Sequence, residues 1–133
     1  NGEVMVWCVL RKKNLVLTPE EWVRQHIIHY LIDGVGIPAE RIVSEMAITV
    51  NGLTRRCDVV AVDRSGKPKL IVECKATAIP VNEKVLFQIA QYNRELQVDY
   101  LMLSNGIDHF LSKINQETGE LERLDELQRE WIY

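Results

Sequence analysis

Arg55-Arg56-Cys57-Asp58-Val59-Val60-Ala61-Val62 and Leu70-Ile71-Val72-Glu73-Cys74-Lys75-Ala76 are two apolar runs, each interrupted by charge. Their length and β-branched content read as strands over 55–63 and 69–76, joined through the turn residues of 63–68. As a hairpin the two are antiparallel. A turn at Arg64 to Lys67 makes residue 63 face 68 and, counted back, Asp58 face Glu73. Directly opposed side chains share a face of the sheet. Strands lie about 4.8 Å apart, which allows the two carboxylates to approach within roughly 4 to 5 Å. Two unit charges at that range repel by about 3 to 4 kcal/mol at an effective dielectric near 20.

A divalent cation reverses the sign of that argument. Mg²⁺ is commonly held by one or two carboxylates, with water and phosphate oxygens in the remaining positions. Lys75 lies two residues beyond Glu73 and projects from the same face, about 6.6 Å further along. There its ammonium can stabilise charge on a phosphate or orient a water. The competing structural reading makes Asp58 and Glu73 salt-bridged strand residues at the surface. The apolar run around Glu73 argues against a routine exposed acid. The register is the sensitive point, because a one-residue bulge turns Asp58 to the other face.

Working outward, residues 3–10 and 14–17 read as two short strands around the basic turn Arg11 to Asn14. Thr18-Pro19-Glu20-Glu21 is a helix start: Thr18 suits the N-cap, Pro19 the first helical position, and Glu21 the capping-box position. That helix is expected to run to about Asp33 and to end at Gly34 and Gly36. Residues 42–50 read as a strand, followed by the turn signal Asn51-Gly52. Residues 82–97 read as a second helix, with the stripe Val85, Leu86, Ile89, Asn93 and Leu96 broken only by Asn93. A strand over 98–104 closes at Asn105-Gly106. Beyond it the pattern weakens to a strand at 109–114, a turn near Gly119 and a short amphipathic helix from Asp125. The order predicts an α/β sandwich on a mixed sheet.

With 133 residues, 47% apolar and 26% charged, the chain suits one globular domain with its own core. The parts of that domain are expected to be a strand pair over 1–17, a core over 18–107 and an extension over 108–133. No apolar run is long enough to span a bilayer, and Val4 to Leu10 lacks the flanks of a signal peptide. A chain opening at Asn1 rather than Met is expected to be trimmed, either a free-standing domain or a fragment of something larger. Cys8, Cys57 and Cys74 sit inside apolar runs without a CxxC and read as buried free thiols in a reducing, cytoplasmic setting. The net charge of −3 argues against a generic nucleic-acid binder. Cations do gather at Arg11-Lys12-Lys13, Arg55-Arg56, Lys67 and Lys69, so a local basic rim is compatible with the sequence.

An Asp followed on a hairpin by Glu-x-Lys resembles the motif of the PD-(D/E)XK nucleases. Further stretches support the likeness. Gln88-Ile89-Ala90-Gln91-Tyr92 resembles the Gln-x-x-x-Tyr element of one branch, which includes type I restriction R subunits. Thr18 to Gln25 resembles the opening of the R-subunit N-terminal domain, and Tyr100 to Gly106 its later strand and turn. The resemblance covers about residues 11–107. It implies a restriction-endonuclease-like αβββαβ core, flanked here by the N-terminal strand pair, and Mg²⁺-dependent (or Mn²⁺-dependent) hydrolysis of DNA. Asp58 and Glu73 would hold the metal and Lys75 would assist the reaction.

A first-helix acid would complete that site. Glu21 has two readings of equal weight, metal ligand and capping-box residue, with Glu20 as the alternative acid. Gln88 and Tyr92, four apart, share a helix side and read as site and nucleic-acid contacts, against ordinary helix-edge packing. Arg56 reads as a phosphate contact or a surface arginine. Cys57 stands where the superfamily's name has Pro, which weakens recognition more than function. No GxxxxGK[ST] is present, so no ATP site is expected in this chain, and a helicase or restriction-system partner would supply translocation. The alternative is a nuclease-fold module that binds DNA or protein without turnover. His26 and His29, without an evident third ligand, read as helix-surface or packing residues, and Trp7, Trp22 and Trp131 read as core or edge packing rather than base-stacking platforms. Ser104 has no His and Asp partners at readable spacing, so serine hydrolase chemistry has no support.

Overall fold

A computed structural model describes residues 2–133; the side chain of Tyr92 lies outside the described set. Strands β1 (Met5–Cys8) and β2 (Lys13–Val16) form a separate antiparallel hairpin. Helix α1 (Pro19–His29) follows, then β3 (Ile42–Val50), β4 (Leu53–Val62), β5 (Pro68–Cys74), helix α2 (Glu83–Arg94), β6 (Tyr100–Ser104), β7 (His109–Ile114) and β8 (Leu121–Leu124). The six strands from β3 to β8 make one sheet in sequence order. Every neighbouring pair is antiparallel except β5 and β6, which are parallel because α2 carries the chain back between them. From α1 to β6 the order is helix, three strands, helix, strand, as the sequence pattern predicts. Residues 108–133 add β7 and β8 to the same sheet.

The two faces of the sheet bury different sets. Val23, Ile27 and Ile28 of α1 pack with Val59, Ala61, Leu70, Val72 and Met102. Leu86 and Ala90 of α2 pack with Val60, Ile71, Leu101 and Leu103. This period-2 division explains why β5 and β6 read as continuous apolar runs: both faces are covered. Asn93 breaks the α2 stripe as the sequence shows, and it is buried all the same. Its amide has no hydrogen-bond partner among the described residues. Cys8, Cys57 and Cys74 are free and buried, as expected.

Local signals hold where they are strong. Thr18 Oγ1 accepts from the Glu21 N–H at 3.0 Å, with Pro19 in the first turn. Thr18→Ala is therefore expected to cost about 1 kcal/mol, read as a lower denaturant midpoint with an unchanged slope. Asn51 and Gly52 both take positive φ, 52° and 80°, as a tight two-residue hairpin turn requires. The first helix widens into a π-helical turn over Tyr30–Val35 and closes at Gly36, φ 91°, one of the two glycines expected to end it.

Two expectations fail. The helix placed from Asp125 is absent. β8 lies just before it, and only a short 3₁₀ turn forms, over Arg129–Ile132. The four residues of β8 are too few to display a period, and pairing to β7 fixes them instead. The β4–β5 turn also differs. Val62 faces Pro68, with an irregularity at Ala61/Val62. The slip lies on the turn side, and from Val59↔Val72 to Ala61↔Leu70 the register is the counted one.

Candidate functional site

The β4–β5 ladder stops at Val59↔Val72, one step short of Asp58 and Glu73. Beyond that point Asp58 takes over from the backbone: its Oδ2 accepts from the Cys74 N–H at 2.7 Å. A carboxylate thus fills the place of a ladder carbonyl where the two strands part. On its other side β4 pairs with β3, and there the ladder skips Glu45, the residue that would face Asp58. Glu45 has φ 54°, a left-handed conformation inside a strand. For a non-glycine residue that conformation costs on the order of 1 kcal/mol or more. Alternation slips at the same level. Cys57 packs in the α2-side core while Val59, two residues on, packs in the α1-side core. The distortion places Asp58 between the two layers.

Helix α1 meets it there. Arg24 Nη2 lies 3.5 Å from Asp58 Oδ1, and Arg24 Nη1 lies 2.7 Å from Glu21 Oε1 and 3.8 Å from Glu45 Oε1. Glu21 Oε2 accepts from Gln25 Nε2 at 2.9 Å. Burial works to lower the Arg24 pKa, but Glu21, Asp58 and Glu45 outweigh it and the net shift is upward. Glu21 thus meets half of the capping box expected of it, and both its carboxylate oxygens have partners within α1. Its backbone N–H completes the Thr18 cap, while its carboxylate aligns Arg24 and Gln25.

Glu73 is held separately. Its Oε1 accepts from Arg55 Nη2 at 2.7 Å, and its Oε2 lies 3.9 Å from Lys75 Nζ. Lys75 is fixed from behind, since its backbone N–H donates to the Ser104 carbonyl at 2.8 Å and so extends the β5–β6 pairing past the strand end. Glu73 is only 15% exposed, consistent with the apolar run around it. Both acids act on the two thiols nearby. Burial pushes the Cys57 thiol up to about 11, with Glu73 and Asp58 adding to the rise against Arg55. Burial, then Asp58, raises Cys74 as well. Both shifts favour the protonated thiol at neutral pH.

Among the described residues, no three acidic, histidine or cysteine side chains converge into a ready-made cage. The donors that are present suit a hard divalent cation. Each acid commits one oxygen to a 2.7 Å hydrogen bond and keeps the other in a looser ion pair, at 3.5 Å for Asp58 and 3.9 Å for Glu73. Two carboxylates of that kind are what Mg²⁺ commonly takes, with water and phosphate oxygens completing the shell.

Arg56 is exposed on β4 and Gln88 is exposed on α2; neither makes an ion pair or hydrogen bond with the residues above. Tyr92 lies on α2, with its side chain outside the described residues. His26 and His29 are exposed on the first helix, where His26 Nδ1 meets the Trp22 carbonyl at 2.8 Å. Sequence reasoning missed Arg24, Glu45 and the pairing of Arg55 with Glu73. A signal existed for Arg24, which is three residues past Glu21 on a helix, a spacing at which side chains meet.

The profile of the family described as type I restriction enzyme R protein N terminus (HSDR_N) matches residues 19–127. The chain belongs to that family. The match takes in α1 with Glu21 and Arg24, the β4–β5 hairpin with Asp58, Glu73 and Lys75, α2 with Gln88, and β6 to β8. Comparison with curated proteins finds no match. No helix among the described residues is long and apolar enough to cross a membrane.

Proposed function

We propose that this R-protein N-terminal domain has a restriction-endonuclease-like core and is a Mg²⁺-dependent nuclease that hydrolyses DNA phosphodiester bonds within a restriction system. The observation that carries the reading is the carboxylate of Asp58 anchored on the backbone N–H of Cys74, the residue between Glu73 and Lys75 in the chain. In this reading Asp58 and Glu73 hold the cation through their looser oxygens. The cation supplies charge neutralisation at the scissile phosphate and a more acidic water. Arg24 and Glu21 keep Asp58 oriented, and Arg55 does the same for Glu73. Lys75 offers an ammonium, 36% exposed, to the phosphate or to the attacking water. Gln88 and Arg56, both exposed, are available to contact the nucleic acid.

A second reading, a nuclease-fold module that binds without turnover, is favoured by one observation: both acids already have arginine partners. Metal binding tests the first. Selective binding to the native state at a hundred times the dissociation constant stabilises by about 2.7 kcal/mol. Thermal melting with and without Mn²⁺ is expected to show the corresponding rise, and Asp58→Asn is expected to lose it. An equal rise in both proteins would remove Asp58 from the proposed metal site.

A further inference from the structure

We infer that the tip of the β1–β2 hairpin is a clamp for the phosphate backbone of duplex DNA, carried by Arg11, Lys12 and Lys13. The inference rests on the DNA-hydrolysing reading above and adds a substrate-guiding surface to it.

The first ground is placement. Cys8 at the tip is fully buried, and Val9 and Leu10 pack against the α1-side core. The Lys12 N–H donates to the Cys8 carbonyl at 2.8 Å, and Lys12 takes φ 52° in this tight turn. The tip is thus seated on the body of the protein. Arg11 Nη1 lies 3.2 Å from Glu45 Oε2, and the other oxygen of Glu45 faces Arg24, which in turn meets Asp58. Three ion pairs therefore connect the basic turn to the acid proposed to hold the cation. Glu45 is the strained residue of β3, and such strain persists only where the surroundings demand it. Here the strained residue carries the carboxylate that joins Arg11 to Arg24.

The second ground is charge. The chain carries a net −3, so its average field repels a polyanion and a local cationic surface has to overcome it. Lys12 and Lys13 are exposed, and among the described residues neither has a carboxylate within ion-pair distance. Their ammonium groups give up no protein contact on meeting a phosphate, and the counterions released from the duplex drive association. Arg11 is 38% exposed and has five N–H donors, so it can donate to a phosphate oxygen while keeping Glu45.

The test is equilibrium binding of the whole chain to labelled duplex DNA across a salt series, in chelator so that no cleavage intervenes. Lys12→Ala with Lys13→Ala is compared with the unsubstituted chain and with Lys67→Ala plus Lys113→Ala. The latter removes the same charge from exposed positions at the opposite end of the sheet. Each lost phosphate contact lowers the slope of log affinity against log salt by about 0.9. The tip variant is expected to lose roughly 2 from the slope. Its affinity deficit should widen roughly sixtyfold when salt is lowered tenfold. The control is expected to keep the original slope. A tip variant matching the unsubstituted protein, or a control losing as much, overturns the clamp and leaves the nuclease reading standing. No binding by the unsubstituted chain at any salt overturns both.

Discussion

Glu73→Gln is expected to slow metal-dependent cleavage of duplex DNA by on the order of a thousandfold, since metal chemistry at a phosphoryl centre is worth several kcal/mol. The substitution is isosteric and leaves a side-chain oxygen for Arg55 Nη2, now 2.7 Å from Oε1. It removes the negative charge that is proposed to hold a hard cation and that faces Lys75 at 3.9 Å. The fold should survive. An ion pair between side chains 18% and 15% exposed becomes a hydrogen bond to a charged group, a loss of about 1 kcal/mol. Plasmid nicking in Mn²⁺, with a melting curve in metal-free buffer beside it, separates loss of chemistry from loss of structure. Asp58→Asn should behave alike, because its remaining oxygen can still accept from the Cys74 N–H. Full-rate cutting by Glu73→Gln would refute the proposed site. An unsubstituted chain that binds Mn²⁺ yet cuts nothing would favour the non-catalytic module.

The second large effect concerns stability. Arg24→Ala is expected to destabilise the protein by about 3 kcal/mol, the lower end for breaking one partner out of a buried ion pair. Arg24 and Glu21 are only 11% and 9% exposed, and the 2.7 Å bond between them is the shortest of the Arg24 contacts. Removing the guanidinium leaves a buried carboxylate on α1 and strips Asp58 of its helix partner. Replacing both members by apolar residues, Glu21→Met with Arg24→Met, should cost less than the single change, because the buried Glu21 carboxylate goes with its partner and only the longer Asp58 and Glu45 contacts are lost. Urea denaturation of Glu21→Met, Arg24→Met and the double variant measures this as a double-mutant cycle. A loss below about 1 kcal/mol for Arg24→Ala would mean that the network is no stronger than a surface pair.

Much of the architecture was legible because it is written in short-range patterns. The Thr18-Pro19-x-Glu21 start and the Asn51-Gly52 turn each act within one turn of chain, and both form. The apolar stripe of α2 needs only the periodicity of its own residues. The order of helices and strands followed, and with it the adjacency of β4 and β5. What failed had no local signature. β8 is four residues long and exists through its pairing with β7. The shift at Ala61/Val62 changes no hydrophobic pattern, so counting from the turn could not detect it. It left the register next to Asp58 as counted.

The amino-acid sequence alone determined that two acids and a lysine stand on adjoining strands, with Asp58 and Glu73 one step beyond the Val59↔Val72 pair, because chain connectivity and the register require it. It did not determine what each acid touches. Arg24 reaches Asp58 only after α1 packs on one face of the sheet, and Glu45 enters only through a left-handed kink in β3. The hairpin tip joins them through Arg11, which lies 34 residues from its carboxylate partner. Such contacts depend on which elements become neighbours, and that is decided by burial of the whole core.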